Sequence, residues 1–334
     1  MTSSNDDLLD SAVRAALVAE GFKNYEVRRI LRILDREVLP DLGARLVARL
    51  ENIAIRGFDA GTATTSRLRF LYRDLRGFFE ALDERLRAET DEPLVGFAGV
   101  QASGLASEMR REVAGIAKVR APTAAAVRSA VLGRPFEGAL LRERWAGRAR
   151  AMRLKVEGQV RIGIAIGETP QQIVSRVRAI WPAERRHVAV MVRAAVAHAQ
   201  AQARQATYEE NADLIRGVMW VATLDTGTCP VCGALDGTVF SVDEGQRPPA
   251  HFGCRCTTVP VLRSAAALGG TRASLDGQVP DSTTFAEWIA RQSAERQDEV
   301  FGPGRAALFR AGRIDLDDMV DAAGHTVALK NLVI

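Results

Sequence analysis

Trp220-Val221-Ala222-Thr223-Leu224-Asp225-Thr226-Gly227-Thr228-Cys229-Pro230-Val231-Cys232 is followed, nineteen positions after its last residue, by His251-Phe252-Gly253-Cys254-Arg255-Cys256. All four cysteines of the 334-residue chain and one of its four histidines lie in these two stretches. Thiolate sulfur and imidazole nitrogen are the donors that Zn2+ gathers into a tetrahedron. A CxxC turn sets two sulfurs on one side of such an ion, and a distant second cluster closes the other side. Gly233 and Gly237 on one flank, and Pro248, Pro249 and Gly253 on the other, permit sharp turns around it. Five candidates compete for four positions. The favoured set is Cys229, Cys232 and His251 with one of Cys254 or Cys256; a site of all four cysteines, with His251 outside, is the other. Three further readings stand beside the metal, one of them four inert core cysteines clustered by chance. A redox CxxC needs a following helix to lower its thiolate pKa, and residues 233–237 read as a turn. Disulfides suit the cysteines if the mature particle is extracellular. A four-ligand site is structural, because it leaves no coordination position open for substrate.

Around the cysteines the chain reads as β: Met219 to Leu224, Gly237 to Phe240 and Thr257 to Val261 are short strand patterns. Three strands this short do not make a stable core alone, so an ion is expected to supply folding free energy here. Upstream the chain reads as helix. Val27, Ile30, Leu31, Leu34 and Val38 follow the i, i+3, i+4, i+7 rule, with Pro40 as the stop. Leu68, Leu71, Leu75, Phe78, Phe79, Leu82 and Leu86 lay a second stripe, and Thr90 to Gly104, with Pro93, reads as a connection. At Gly167-Glu168-Thr169-Pro170-Gln171-Gln172 a helix C-terminus meets an N-cap, a first-turn proline and a capping-box glutamine, so two helices join in a tight turn. Trp181-Pro182 reads as an interruption of the second. Past Ser264 a linker leads to a helical tail opened by the capping box Thr284/Glu287.

The fold class is therefore mainly α with a small metal-pinned β module (α+β), an elongated helical N-terminal part and a short helical tail. The expected division is a helical region 1–120, an Arg-rich helical region 121–215, the Cys/His β module 216–263, a linker 264–282 and a tail 283–334.

No apolar run approaches the roughly 18–20 residues of a membrane span. Met1 to Asp7 lacks the basic and apolar regions of a signal peptide. The chain is expected to begin life in a cytoplasm. Net charge is only +4, but its distribution is uneven: between Arg142 and Arg204 thirteen basic residues face four acidic ones. Arg148, Arg150 and Arg153 are the candidates there for non-specific contact with packaged double-stranded DNA, since arginine on an exposed helix neutralises phosphate; a solvated face or an acidic partner subunit is the other reading. No recognition helix or Gly-rich phosphate loop supports sequence-specific binding.

The run Trp220 to Gly237, with Pro248-Pro249-Ala250-His251-Phe252-Gly253-Cys254-Arg255-Cys256, closely resembles the phage head morphogenesis family, the Mu F-like minor head proteins of tailed bacteriophages. The likeness extends more weakly through Arg134 to Gly138 and the Gly167 turn, and the tail with Trp288, Gln292, Gln297, Gly302 and Arg305 is similar to an extension many members carry. The resemblance implies a structural minor capsid protein that acts in head assembly near the portal, with the portal and other head proteins as partners. It places the protein in the virion head, assembled in the bacterial host cytoplasm, without a membrane and without catalysis. The competing class is a metal-dependent nuclease or toxin-like enzyme on the Cys/His module, with His251 drawn against Asp225 or Asp236 as an acid–base pair. His187 and His198 read as ordinary surface or core residues, His325 as a turn residue, and Asp315 as a helix cap.

Overall fold

The computed structural model describes residues 4–54, 62–113, 117–136, 138–263, 271–321 and 324–332. Long helices dominate, and their apolar stripes explain where they run. α1 (Ser4–Ile33) buries Val27 and Ile30, a π-helical turn (Leu34–Val38) buries Leu34 and Val38, and α2 (Leu39–Ala54) buries Leu42, Leu46 and Leu50. Pro40 does not stop this run. The turn before it widens, with the Leu39 N–H donating to Leu34 O, and proline is tolerated in a first helical turn, where its missing N–H is not needed.

α3 (Thr62–Glu112) is continuous through the stretch expected to be a connection. Pro93 removes the N–H that would serve the Glu89 carbonyl, and the Arg29 guanidinium donates to that carbonyl instead. Leu94, Ala98, Ala102, Leu105, Ala106 and Met109 then continue the buried stripe past the glycines. After α4 (Ala124–Gly133), α5 (Leu141–Ala165) and α6 (Pro170–Glu210) meet at the anticipated turn. Gly167 takes φ +79°, Gln172 N–H donates to Thr169 Oγ1 (3.3 Å), and Thr169 N–H donates to Gln172 Oε1 (2.8 Å). α6 passes through Pro182, which lies on its exposed face, while Val177, Trp181, Glu184 and Val188 bury the opposite face on both sides of the proline.

The chain divides into two compact units, which interleave along the sequence. One, residues 22–94 and 132–195, is helical; polar ties within it include Trp181 Nε1 donating to Asp35 Oδ1 (3.2 Å) and Arg49 to Asp74 (3.0 Å). The other, residues 1–21, 95–131 and 196–334, carries the sheet and the cysteines.

In the second unit β1 (Ile215–Val221) is central, with β2 (Val239–Phe240) and β3 (Thr257–Leu262) antiparallel on its two edges. The register sets Trp220 against Thr258 and Val221 against Thr257. Ile215, Val218, Val259 and Leu262 pack with Leu105, Met109 and Tyr208, so the sheet shares its core with helical residues. Tyr208 Oη and Arg204 Nε both donate to Thr258 O, at 3.0 and 2.8 Å, which pins β3 directly after Cys256. Beyond Arg263, residues 264–270 of the expected linker lie outside the described residues. The remainder of that segment is a hairpin, β4 (Thr271–Ser274) with β5 (Gly277–Pro280), turning at Leu275-Asp276. α7 (Pro230–Ala234) lies between β1 and β2, and the tail carries α8 (Phe285–Ala290), α9 (Ala294–Phe301) and α10 (Pro303–Arg310). Thr284 and Glu287 close the anticipated capping box. No described helix is long and apolar enough to cross a membrane.

Candidate metal centre

Thr228 Oγ1 donates to Thr223 O (2.6 Å), closing the loop that leaves β1 and delivering Cys229 as the N-cap of α7. Pro230 sits at the first helical position, where its missing N–H costs nothing. The Cys232 N–H donates to Cys229 Sγ (3.4 Å), so both sulfurs of the CxxC turn to one side. A one-turn helix therefore follows the first cysteine where a plain turn was expected. The second cluster arrives on a loop tightened by Cys254 N–H donating to His251 O (3.1 Å).

The two clusters converge. Cys229 Sγ and Cys232 Sγ each lie 3.3 Å from His251 Nε2, and Cys232 Sγ lies 3.8 Å from Cys254 Sγ. A tetrahedral zinc with ordinary bond lengths sets sulfur–sulfur edges of about 3.8 Å and sulfur–nitrogen edges of about 3.6 Å. The Cys232–Cys254 edge matches the sulfur–sulfur value, the two edges to His251 are somewhat shorter, and the donor types suit that ion. Cys229, Cys232 and His251 form one close group, and Cys232, Cys254 and Cys256 a second that shares Cys232. His251 Nδ1 is 3.0 Å from Phe252 O; donating there, it would turn Nε2 toward the sulfurs, as outer hydrogen bonds of metal-bound histidines do. All four cysteines are free thiols, and Trp220 and Ala222 pack against Cys232 and Cys254.

The closeness of the donors shifts their acidities. The hydrogen bond from Cys232, then that of His251, holds the Cys229 thiol down to about 4, and the hydrogen bond to Cys229 raises His251 to about 9. Cys254 is lowered by hydrogen bonds from Cys232 and Cys256, while Cys232 is raised, first by Cys229. An ion entering the group would displace protons from it.

Asp236, read from sequence only as a turn residue or as a base for His251, has a different task. Its carboxylate accepts from Ala222 N–H (2.7 Å), Phe285 N–H (2.7 Å) and the Arg272 guanidinium (3.0 and 3.2 Å), fully buried. Asp225 is engaged bidentately by Arg255, at 2.5 and 2.6 Å. Neither carboxylate meets His251 in these bonds, so the acid–base pairing is not assembled. The Asp236–Arg272 pair escaped sequence reading because its partners lie on separate elements; the one signal was an arginine in an alternating hairpin strand.

The arginines proposed for DNA are not equivalent. Arg148 is bound to the buried Glu184 (2.5 Å), which Lys155 also contacts, and Arg153 to Glu157 (2.6 Å); Arg150 is exposed. His198 is buried with Nε2 3.0 Å from Val131 O, and His187 is half exposed beside Glu184. Asp315 and Asp318 cap one another's N–H groups at 2.9 and 3.0 Å.

Among known families, residues 154–259 match the Phage Mu protein F like protein family, in agreement with the resemblance seen around the cysteines. The match runs from the middle of α5 to β3 and takes in all five Cys/His donors. No curated protein and no solved structure matches the chain.

Proposed function

We propose that this protein is a structural minor head protein of a tailed phage or prophage, acting near the portal during head morphogenesis and holding one structural zinc per chain. Phage head morphogenesis is the role the family supports; the position near the portal, the ion and any DNA contact are our extension of it. The observation that carries the reading is the family match across the whole Cys/His cluster, where five donors gather in two close groups that share Cys232. Cys229, Cys232 and His251 would hold the ion with Cys254 or Cys256 as the fourth donor, both of which lie close to Cys232. Bound there, zinc supplies charge neutralisation and a cross-link between the two loops rather than chemistry, since four protein donors fill its shell. The protein is accordingly not an enzyme in this reading.

Contact with packaged DNA falls to Arg150 of the three candidates, together with further exposed arginines. Arg142, Arg150, Arg178, Arg186 and Arg193 are exposed and lack an ion-pair partner among the described residues. Assembly in the host cytoplasm and residence in the virion head complete the proposal. Its test is genetic and biochemical: the protein should co-fractionate with portal and proheads, and phage lacking it should yield defective or uninfectious heads. Normal titre and normal heads without it would overturn the role. Elemental analysis of protein purified under reducing conditions should return about one zinc per chain, lost on Cys229→Ser, with Cys254→Ser and Cys256→Ser differing in severity.

A further inference from the structure

We propose that residues 283–320 are latched onto the metal-binding turn, so that removing the ion releases the C-terminal tail; this rests on the metal reading above. The latch has two contacts, one on each side of the end of α7. Gly233, the residue after Cys232, is buried, and a Cβ there would overlap the Phe285 ring and meet Leu316 Cδ2 at 3.1 Å. Only glycine lets the tail approach this closely. Three residues on, Asp236 accepts the N–H of Phe285, the first residue of α8, while holding Ala222 just past the end of β1.

The apolar core of the tail is organised around the same contacts. Phe285, Trp288, Ile289, Phe301, Leu316 and Met319 form one buried cluster. Leu224, five residues ahead of Cys229, is buried within it, and its carbonyl accepts from Leu275 N–H (2.8 Å). The tail therefore builds its core on the loop that presents the ligands.

The physical coupling follows from length. α7 has five residues, with Cys229 as its cap and Cys232 within it. A helix of one turn does not persist alone; the sulfurs fixed at its start and the tail packed on its far side hold it. α8, α9 and α10 have six, eight and eight residues, also too short to persist undocked. Withdrawing the ion frees Cys229 and Cys232, shifts the Gly233 surface and opens the Phe285 seat, and the tail helices then fray. Linkage makes the effect reciprocal: whatever loosens the tail weakens the ion by the same factor.

The experiment uses the full chain. Zinc content is measured, and amide hydrogen exchange is followed before and after chelation under reducing conditions, then after zinc is restored. Residues 285–320 should lose protection together with 220–258, by about tenfold or more, and regain it with zinc, while 141–165 stay unchanged. In parallel, Phe285→Ala, which removes no ligand, should weaken zinc affinity by about tenfold, within the usual range of coupling between sites. Opening of 220–258 with the tail still protected overturns the latch and leaves the metal reading standing. Unchanged zinc affinity in Phe285→Ala also overturns it. Protein that binds no zinc removes both.

Discussion

Replacing Arg272 with methionine tests whether the buried ion pair holds the module and tail together. The Arg272 side chain is 7% exposed and that of Asp236 0%. The guanidinium donates to both carboxylate oxygens, to Ala222 O (2.5 Å) and to Thr283 O (3.1 Å). Methionine approximates the arginine stem but strands the carboxylate with two N–H donors, from Ala222 and Phe285, and leaves two carbonyls short of a partner. Removing one member of a buried pair costs about 3–5 kcal/mol, chiefly through the uncompensated charge. At about 1.4 kcal/mol per decade, the Ala222 and Phe285 amides should lose roughly two to three powers of ten in exchange protection, up to the limit set by global unfolding. Asp236→Asn in the Arg272→Met background removes the charge while keeping an oxygen for one N–H, and should recover about 1–2 kcal/mol. Hydrogen exchange read by mass spectrometry on the full chain measures both. A loss below about 1 kcal/mol, or a double variant no more stable than Arg272→Met, would refute the assignment of Asp236 as a charge that depends on Arg272.

Asp83 is a carboxylate raised by burial against the opposing pull of Arg87, and its Oδ1 is buried without a hydrogen-bond partner. Because its folded pKa lies above the unfolded one, it destabilises above the folded value and not below the unfolded one; Asp83→Asn should raise neutral-pH stability by up to about 1 kcal/mol, with the two proteins converging as pH falls below the ordinary aspartate value in urea titrations. Arg29→Met should cost about 1–3 kcal/mol by stranding the Glu89 carbonyl and the buried Glu26, and Pro93→Ala should rescue part of that loss by restoring a helical N–H, read as non-additivity in thermal unfolding. If the exposed arginines meet DNA, binding should be sequence-independent with a log–log salt slope near about −0.9 per phosphate; Arg186→Ala and Arg193→Ala should each flatten it by about one, while Arg153→Ala, already engaged by Glu157, should not.

The parts of the fold that were legible in sequence are those whose cause is local. The turn at Gly167 was readable because its cap, first-turn proline and reciprocal hydrogen bonds all lie within six residues. The strands around the cysteines and the Thr284 capping box are of the same kind. The prolines show the opposite case. Pro40 reads as a stop, Pro93 as part of a connection and Pro182 as an interruption, and each lies inside or next to a continuing helix. A π turn precedes Pro40, Arg29 from another helix serves the carbonyl freed by Pro93, and Trp181 and Glu184 pack on either side of Pro182. At Pro93 a local rule registers the cost and is blind to the distant arginine that offsets it.

The functional residues divide along the same line. Cys229, Cys232, His251, Cys254 and Cys256 stand out as candidates in sequence because few tasks suit that many soft donors at such spacing, and the structure brings them together. An arginine has no such bias. Whether Arg148 is available to a phosphate depends on Glu184, thirty-six residues away, and whether Arg272 is a surface charge or a buried tie depends on Asp236 at the same separation. Charge counts along the chain therefore overstate what the basic segment offers a polyanion, because Glu157, Glu168, Glu184 and Asp35 hold Arg153, Arg176, Arg148 and Arg185 in place. What survives is a smaller set of exposed guanidiniums, Arg186 and Arg193 among them. They lie seven residues apart on α6, nearly two full turns, and so project from the same exposed side of the helix.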